Sequence, residues 1–250
     1  MNHPGQFTPV NGLQMYFEEQ GAGEPLLFIH GGSASIESFY QQIPAFTGQY
    51  RVIAADSRGH GRTGDTEGEY SYPLMAEDFA QFIQSRGLGP VSIIGWSDGG
   101  IIGLHLAIHF PQLVKKLVMI GACADVSGQT EEFLESVRNG KPEEHPAILI
   151  ELYQQLSPDG PAHWPVFYEK LRRMWLGSPH YTTEQLKSVR CPVLVMVGEH
   201  DIVKTAHTAE MAHALPNAQI CVISGASHFA PVENPAAVNS AILAFLKAGD

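Results

Sequence analysis

No apolar run in this sequence approaches the ~18 uninterrupted residues of a membrane-crossing helix, and no run of Lys and Arg resembles a nucleic-acid patch. Basic residues are the scarce charge, 15 Lys and Arg against 26 Asp and Glu, for a formal net charge of −11. Such a surface repels nucleic acid and anionic membrane, so neither is an expected partner. Cysteine is sparse and odd in number: Cys123, Cys191 and Cys221, with no C-x-x-C or metal-like spacing. No disulfide framework and no metal site follow from it, and a reducing compartment is expected. The opening MNHPGQFTPV lacks the basic and apolar regions of a signal peptide, which again points to the cytoplasm. Internal repeats and low-complexity tracts are absent.

What is present is an ordinary globular composition. Of 250 residues, 44% are hydrophobic and 16% charged, enough for one large core. Short apolar runs at 25–29, 52–55, 91–94, 117–120, 193–197 and 220–223 alternate with helical patterns. A further strand is predicted over 13–18, after the Asn11-Gly12 turn, with antiparallel pairing at that edge of the sheet. Helices are predicted over 36–46, 73–87, from the glycine-rich turn after 94 to about 110, and over 235–246. Strands apolar throughout and alternating with helices imply a mostly parallel sheet covered on both faces, an α/β fold.

One region breaks the alternation. Between Ala122 and Val189 no strand is predicted; helices are expected over 131–139, 146–156 and 161–176. The expected organisation is therefore a core of 1–122 and 189–250, with a small helical cap at 123–188. Trp164, Trp175, Phe167 and Tyr168 in the cap are expected to pack it, with some of them lining a pocket beneath it.

Gly95-Trp96-Ser97-Asp98-Gly99 is a G-x-S-x-G motif between an apolar strand and an Ile/Leu-rich helix. That context is a nucleophile elbow, where small flanking residues permit a tight, strained turn. A serine hydroxyl is a weak nucleophile near neutral pH and needs a base. Of twelve histidines, His228 follows a strand and so sits at the same sheet edge. The base in turn needs an orienting carboxylate. Asp201, after the strand at 193–197, is the candidate, with Glu199 and Asp125 as rivals. The order Ser, Asp, His is the one described for α/β-hydrolases.

With these motifs the chain resembles the α/β-hydrolase superfamily over nearly its whole length. His30-Gly31-Gly32 resembles the family's oxyanion loop, and residues 56–63 its D-x-R-G-H-G-x-S/T turn, here ending in Thr63. Gly198 to Asp201 resembles the acid loop, and Ser227-His228-Phe229 the histidine loop. The resemblance implies an oxyanion hole built from the backbone N–H groups of Gly32 and Asp98, and no metal or organic cofactor. The elbow is similar to that of the valacyclovir-hydrolase and biphenyl-hydrolase-like group. Asp98, beside the nucleophile, then has two readings: a site for a cationic group on the substrate, or a helix N-terminal carboxylate favoured by the macrodipole.

The expected activity is hydrolysis of carboxylic esters of small substrates through an acyl-enzyme on Ser97. The same triad can serve lactones, amides, thioesters, carbon–carbon bonds or peracid formation, because the pocket and not the fold selects among these. A serine at the elbow disfavours the haloalkane-dehalogenase and epoxide-hydrolase branches, which use Asp there. A small-ligand receptor retaining the triad is the alternative from another class. Whether the chain acts as a monomer or a homodimer is left open. Two further patterns are discounted. Gly59 to Gly64 fits G-x-G-x-x-G but is followed by loop-like residues rather than a helix. His105 and His109 have zinc-ligand spacing, but Leu106 stands where the glutamate of H-E-x-x-H would be.

Overall fold

A computed structural model describes residues 5–248; residues 1–4 and 249–250, at the outer ends of the expected core segments, lie outside them. In chain order the first half contains β1 (Gln6–Val10), β2 (Leu13–Gln20), β3 (Glu24–Ile29), α1 (Ile43–Phe46), β4 (Tyr50–Ala55), α2 (Tyr72–Ser85), β5 (Val91–Trp96), α3 (Asp98–His109) and β6 (Val114–Ile120). An insertion follows, with α4 (Glu131–Asn139), α5 (Ala147–Leu156), α6 (Trp164–Gly177) and α7 (Thr183–Lys187). The chain closes with β7 (Val193–His200), α8 (Thr205–Ala214), β8 (Ala218–Ser227), α9 (Ala230–Glu233) and α10 (Pro235–Lys247).

The strands form one sheet in the order β1-β2-β4-β3-β5-β6-β7-β8. β1 and β2 pair antiparallel about Asn11 and Gly12, whose φ values of 43° and 81° suit a tight hairpin turn. β2 meets β4 antiparallel, and every pairing from β4 to β8 is parallel. Alternate residues of each central strand feed two different cores. Leu27, Ile29, Ile93, Leu117 and Val195 pack on one face with Phe79, Phe82 and the insertion's Phe167 and Leu171. Leu26, Phe28, Ile94, Val118 and Leu194 pack on the other with Phe39, Phe46, Ile242 and Phe245. Burial on both faces is why these strands read as unbroken apolar runs.

The order β4-β3-β5 places a topological switch between β3 and β5. Chain growth leaves these neighbours in opposite directions, opening a crevice outside their carboxyl ends, where open α/β sheets bind ligands. The segments leaving those ends begin at His30 and Ser97.

Several local expectations are corrected. The helix expected over 36–46 is split into a 3-10 turn, Ile36–Phe39, and the short α1. Pro44 lies in the first turn of α1 and lacks the N–H an incoming helix would need. The strands expected at 193–197 and 220–223 run on to His200 and Ser227. Helices α7, α8 and α9 carry no clear apolar period; α8 buries only Thr208 and Met211.

A buried ion pair secures the loop after β4. Arg58 donates to both oxygens of Asp78 on α2, at 2.9 and 2.6 Å, and both side chains are almost fully buried. Burial pushes the Asp78 carboxyl above its usual range, against the pull of Arg58. Asp78→Ala leaves a buried guanidinium without its partner. The expected loss is about 3–5 kcal/mol of unfolding free energy, measurable by urea denaturation; a loss below 1 kcal/mol would show that water rescues Arg58.

Candidate active site

Ser97 occupies the single residue between β5 and α3, at φ 55° and ψ −118°. A non-glycine residue with positive φ is strained and persists only where its surroundings over-determine it. Those surroundings are explicit. The Ser97 N–H donates to the Ile120 carbonyl at 2.7 Å, and its carbonyl accepts from Gly100 and Ile101. A Cβ on Gly95 would lie 2.3 Å from the Gly99 oxygen, and one on Gly99 would lie 1.9 Å from the Ile29 oxygen. The glycines of the motif are therefore demanded by close backbone packing on both sides of the serine.

His228 directly follows β8. Its Nε2 lies 3.0 Å from Ser97 Oγ and its Nδ1 2.7 Å from Asp201 Oδ1. Asp201 also accepts the backbone N–H groups of Gly198 and Val203, each at 3.1 Å. Burial raises the Asp201 carboxyl, but the bond and charge of His228 and the two N–H groups outweigh it, leaving it below the ordinary range. An ionised carboxylate can only accept, so the imidazole carries its proton on Nδ1 and presents Nε2 as an acceptor to the serine hydroxyl. Trp96 Nε1 donates to the His228 carbonyl at 3.0 Å. The rival carboxylates are occupied elsewhere: Glu199 accepts from Ser224 and Gly225, and Asp125 from Ser127 and His180.

The loop leaving β3 passes against the serine. A Cβ on Gly31 would sit 3.1 Å from Ser97 Cβ. A Cβ on Gly32 would sit 2.4 Å from Asp98 Oδ2 and 2.5 Å from Trp175, so only glycine fits there. Asp98 opens α3, and its N–H has no carbonyl one turn earlier to bond. Behind this loop stands the segment 56–63. Ser57 N–H donates to His30 Nε2 at 2.9 Å, which leaves Nδ1–H to donate to the Gly31 carbonyl at 2.8 Å. Asp56 accepts from the N–H groups of Ile36 and Arg62, each at 2.9 Å. Burial lowers the His30 imidazole to about 4 and raises the Asp56 carboxyl to about 7. Residues 59–64 thus form a turn bracing the loop, with no helix following at once; α2 starts at Tyr72.

A cavity of about 920 Å³ opens over Ser97 and His228. Its walls are mainly apolar, including Ile101, Phe133, Leu149, Leu152, Trp175 and Val203. Trp175 and Tyr168 line it, whereas Trp164 and Phe167 pack within the core. Among the charged lining residues, Glu37 is paired with Arg62 and Glu144 with Lys141, which leaves the buried Asp98 carboxylate. The Asp98 carboxylate is buried and accepts from Tyr72 O–H at 2.8 Å and Trp175 Nε1–H at 2.9 Å. Burial raises its carboxyl even so. Of the two readings of Asp98, this geometry favours the structural one, with the carboxylate pinning an insertion side chain beside the elbow.

Sequence reasoning missed three neighbours of the site. Gly121, the residue after β6, has φ 58°, and a Cβ there would lie 2.9 Å from His228 Nδ1 and 3.1 Å from Asp201 Oδ2. A glycine immediately after an apolar strand was the available signal. Tyr72 and His145 reach the site from distant segments and carry none. His105 and His109 stack with ring centroids 4.2 Å apart, and His105 bonds the Tyr181 hydroxyl. Burial lowers His105 to about 4, and no group of three potential ligands gathers among the described residues.

Residues 24–162 match a family model described as alpha/beta hydrolase fold. The chain is 26% identical to an (E)-2-((N-methylformamido)methylene)succinate hydrolase of Acinetobacter baylyi, covering 95% of each protein. It is 29% identical to a non-heme haloperoxidase of Rhodococcus erythropolis, covering 96% of this chain and 98% of that one. Among solved structures, a thermophilic esterase from Thermogutta terrifontis superposes with a TM-score of 0.76 at 26% identity, covering 98% of both chains.

Gly121 offers a test of the geometry that needs no substrate. Gly121→Ala should displace the His228–Asp201 pair and slow covalent labelling of Ser97 by a fluorophosphonate by roughly 10–100-fold, with the fold retained by circular dichroism. An unchanged labelling rate would show that the pair tolerates the added methyl.

Proposed function

The chain belongs to the alpha/beta hydrolase fold family, and from that premise we propose that it hydrolyses carboxylic esters of small substrates through an acyl-enzyme on Ser97. The observation that carries this reading is the continuous hydrogen-bonded chain from Ser97 through His228 to Asp201, at 3.0 and 2.7 Å, on the floor of an apolar cavity.

In the proposed reaction the Ser97 hydroxyl gives its proton to His228 Nε2 as Oγ attacks the ester carbonyl. Asp201 stays ionised and stabilises the imidazolium. The oxyanion is held by the N–H groups of Gly32 and Asp98, donors fixed before the charge develops. Collapse of the tetrahedral intermediate expels the alcohol, which takes the proton from Nε2. Water then gives a proton to Nε2 and attacks the acyl carbon; the acid departs and Ser97 recovers its proton.

The cavity bears on the substrate. Beside the buried Asp98 carboxylate and among apolar walls, an acyl group carrying its own carboxylate meets like charge and loses its hydration. Neutral acyl groups are the better fit, and this separates the chain from the relative named for a succinate. Lactone, amide and carbon–carbon hydrolysis and perhydrolysis stand as alternatives on the same triad. The absence among described residues of any helix long and apolar enough to cross a membrane and the unpaired state of Cys123, Cys191 and Cys221 are compatible with action in the cytoplasm on small molecules.

Hydrolysis of p-nitrophenyl esters from acetate to octanoate should be measurable, and Ser97→Ala should reduce kcat by at least ~10³-fold. The hemisuccinate ester should be turned over with kcat/KM roughly 10-fold below that of butanoate, a like-charge effect of about 1.4 kcal/mol. Turnover of none of these esters by the wild type would sink the ester reading, and tight ligand binding without turnover would favour a receptor. A hemisuccinate preference would reverse the assignment of the substrate's charge.

A further inference from the structure

Ser33, next to Gly32 in the oxyanion loop, is 5% exposed and has a positive φ of 54°. Its hydroxyl donates to the Gly32 carbonyl at 2.7 Å. The same oxygen lies 2.8 Å from Nε2 of His145, a residue 112 positions away in the insertion. A hydroxyl has one proton, and here it is spent on Gly32. The second contact therefore needs a proton from the ring, so His145 donates through Nε2–H.

His145 is built to stay in place. It lies between a 3-10 turn, Pro142–Glu144, and the start of α5, and Pro146 after it favours the extended backbone it adopts, φ −64° and ψ 154°. Its ring stacks on Trp175, with centroids 6.3 Å apart and planes at 21°, and touches Trp164 and Tyr168 at 5.5 and 5.3 Å. Burial lowers the imidazole to about 4, so it is neutral and carries one ring proton near pH 7. Trp175, against which it stacks, is pinned by the Asp98 carboxylate and closes over Gly32.

The geometry points to His145 as a positioning residue for the oxyanion hole, its Nε2–H holding Ser33 and with it the Gly32 N–H in line with that of Asp98. This rests on the proposed ester-hydrolase reading, because it concerns the loop that reading assigns to the oxyanion. The insertion is then a working part of the hole as well as a roof: His145 grips residue 33 while Trp175 grips residue 32. Loss of one such hydrogen bond leaves the donor present but misaligned, so the effect should be smaller than the ~10²–10³ for loss of an oxyanion donor.

The test is steady-state hydrolysis of p-nitrophenyl acetate and octanoate by wild type, His145→Phe, His145→Gln, Ser33→Ala and the Phe/Ala double variant. His145→Phe and Ser33→Ala should each lower kcat about 10-fold on both esters, with KM within about 2-fold. The double variant should be no worse than Ser33→Ala, since the serine change already removes the bond that His145→Phe removes. His145→Gln, which restores an N–H, should recover most of the rate. Loss confined to KM or to octanoate would make His145 a pocket wall only and overturn the proposal. So would additive losses, or wild-type kcat in Ser33→Ala, a variant that removes one oxygen and keeps the test decisive if His145→Phe fails to fold. Absence of wild-type turnover would instead overturn the ester reading, and this proposal with it; an active wild type that loses activity in Ser97→Ala but not in these variants overturns this proposal alone.

Discussion

Everything at the site hangs on how closely the turn after β5 approaches β3. Gly99 packs so tightly under the Ile29 carbonyl that no side-chain atom fits between them. That contact fixes the start of α3 beside the loop leaving β3, and the strain at Ser97 follows from it. It also brings the head of α3, at Asp98, beside the loop that carries Gly32. Such strain costs of order 1–3 kcal/mol. It is held by the doubly buried strands on either side and by the bond from Ser97 N–H to Ile120, so local strain is balanced by global packing.

The same crevice explains why an insertion between β6 and β7 matters to the centre. Both strands end at the edge where Ser97 stands, and a segment leaving β6 has only to fold back to cover it. The insertion meets the centre through directed polar contacts, Trp175 on Asp98 and His145 on Ser33, as well as through apolar burial. Asp65, in the loop before α2, adds a third anchor by accepting from Lys170 and His163. Burial raises that carboxyl, yet these bonds and that of Tyr70 hold it below the ordinary range. Directed contacts specify where a covering segment sits, which apolar packing alone leaves loosely determined.

What could be read from the sequence was what the backbone itself demands. The glycines flanking Ser97 are required by contacts shorter than any side chain allows, so the motif and its strand-to-helix context carry the geometry with them. Asp201 and His228 were legible by position, each just beyond an apolar strand, and the structure brings both into hydrogen-bonding distance of their expected partners. The alternation of strands and helices was legible because two-sided burial writes continuous apolar runs. The polar helix α8 and the elongation of β7 and β8 were not, because tertiary context rather than local pattern sets them; the break at Pro44 had a local signal, the proline itself, that the helical pattern passed over. His145 and Tyr72 were invisible for a related reason: each meets the site only through the fold, and a lone His or Tyr has no spacing to announce it.

The chain's histidines show why chemistry has to be argued from surroundings rather than residue type. His30, His60 and His105 are buried, and burial lowers them to about 4, 3 and 4, so each is a neutral structural ring near pH 7. The rings of His30 and His60 donate to the carbonyls of Gly31 and Arg58, and that of His105 is hydrogen-bonded to the Tyr181 hydroxyl. Accepting a proton would put a charge where burial disfavours it. His228 differs in having a carboxylate at 2.7 Å on one nitrogen and a hydroxyl at 3.0 Å on the other, with an open cavity above. There a proton accepted from the hydroxyl can be met at once by a carboxylate, because Asp201 is held ionised by His228 and backbone N–H groups. The division follows from where carboxylates are placed: Asp201 beneath His228 is positioned to support the moving charge that the proposed reaction requires, whereas Asp98 and Asp56, accepting from groups that never leave, support a shape that stays still.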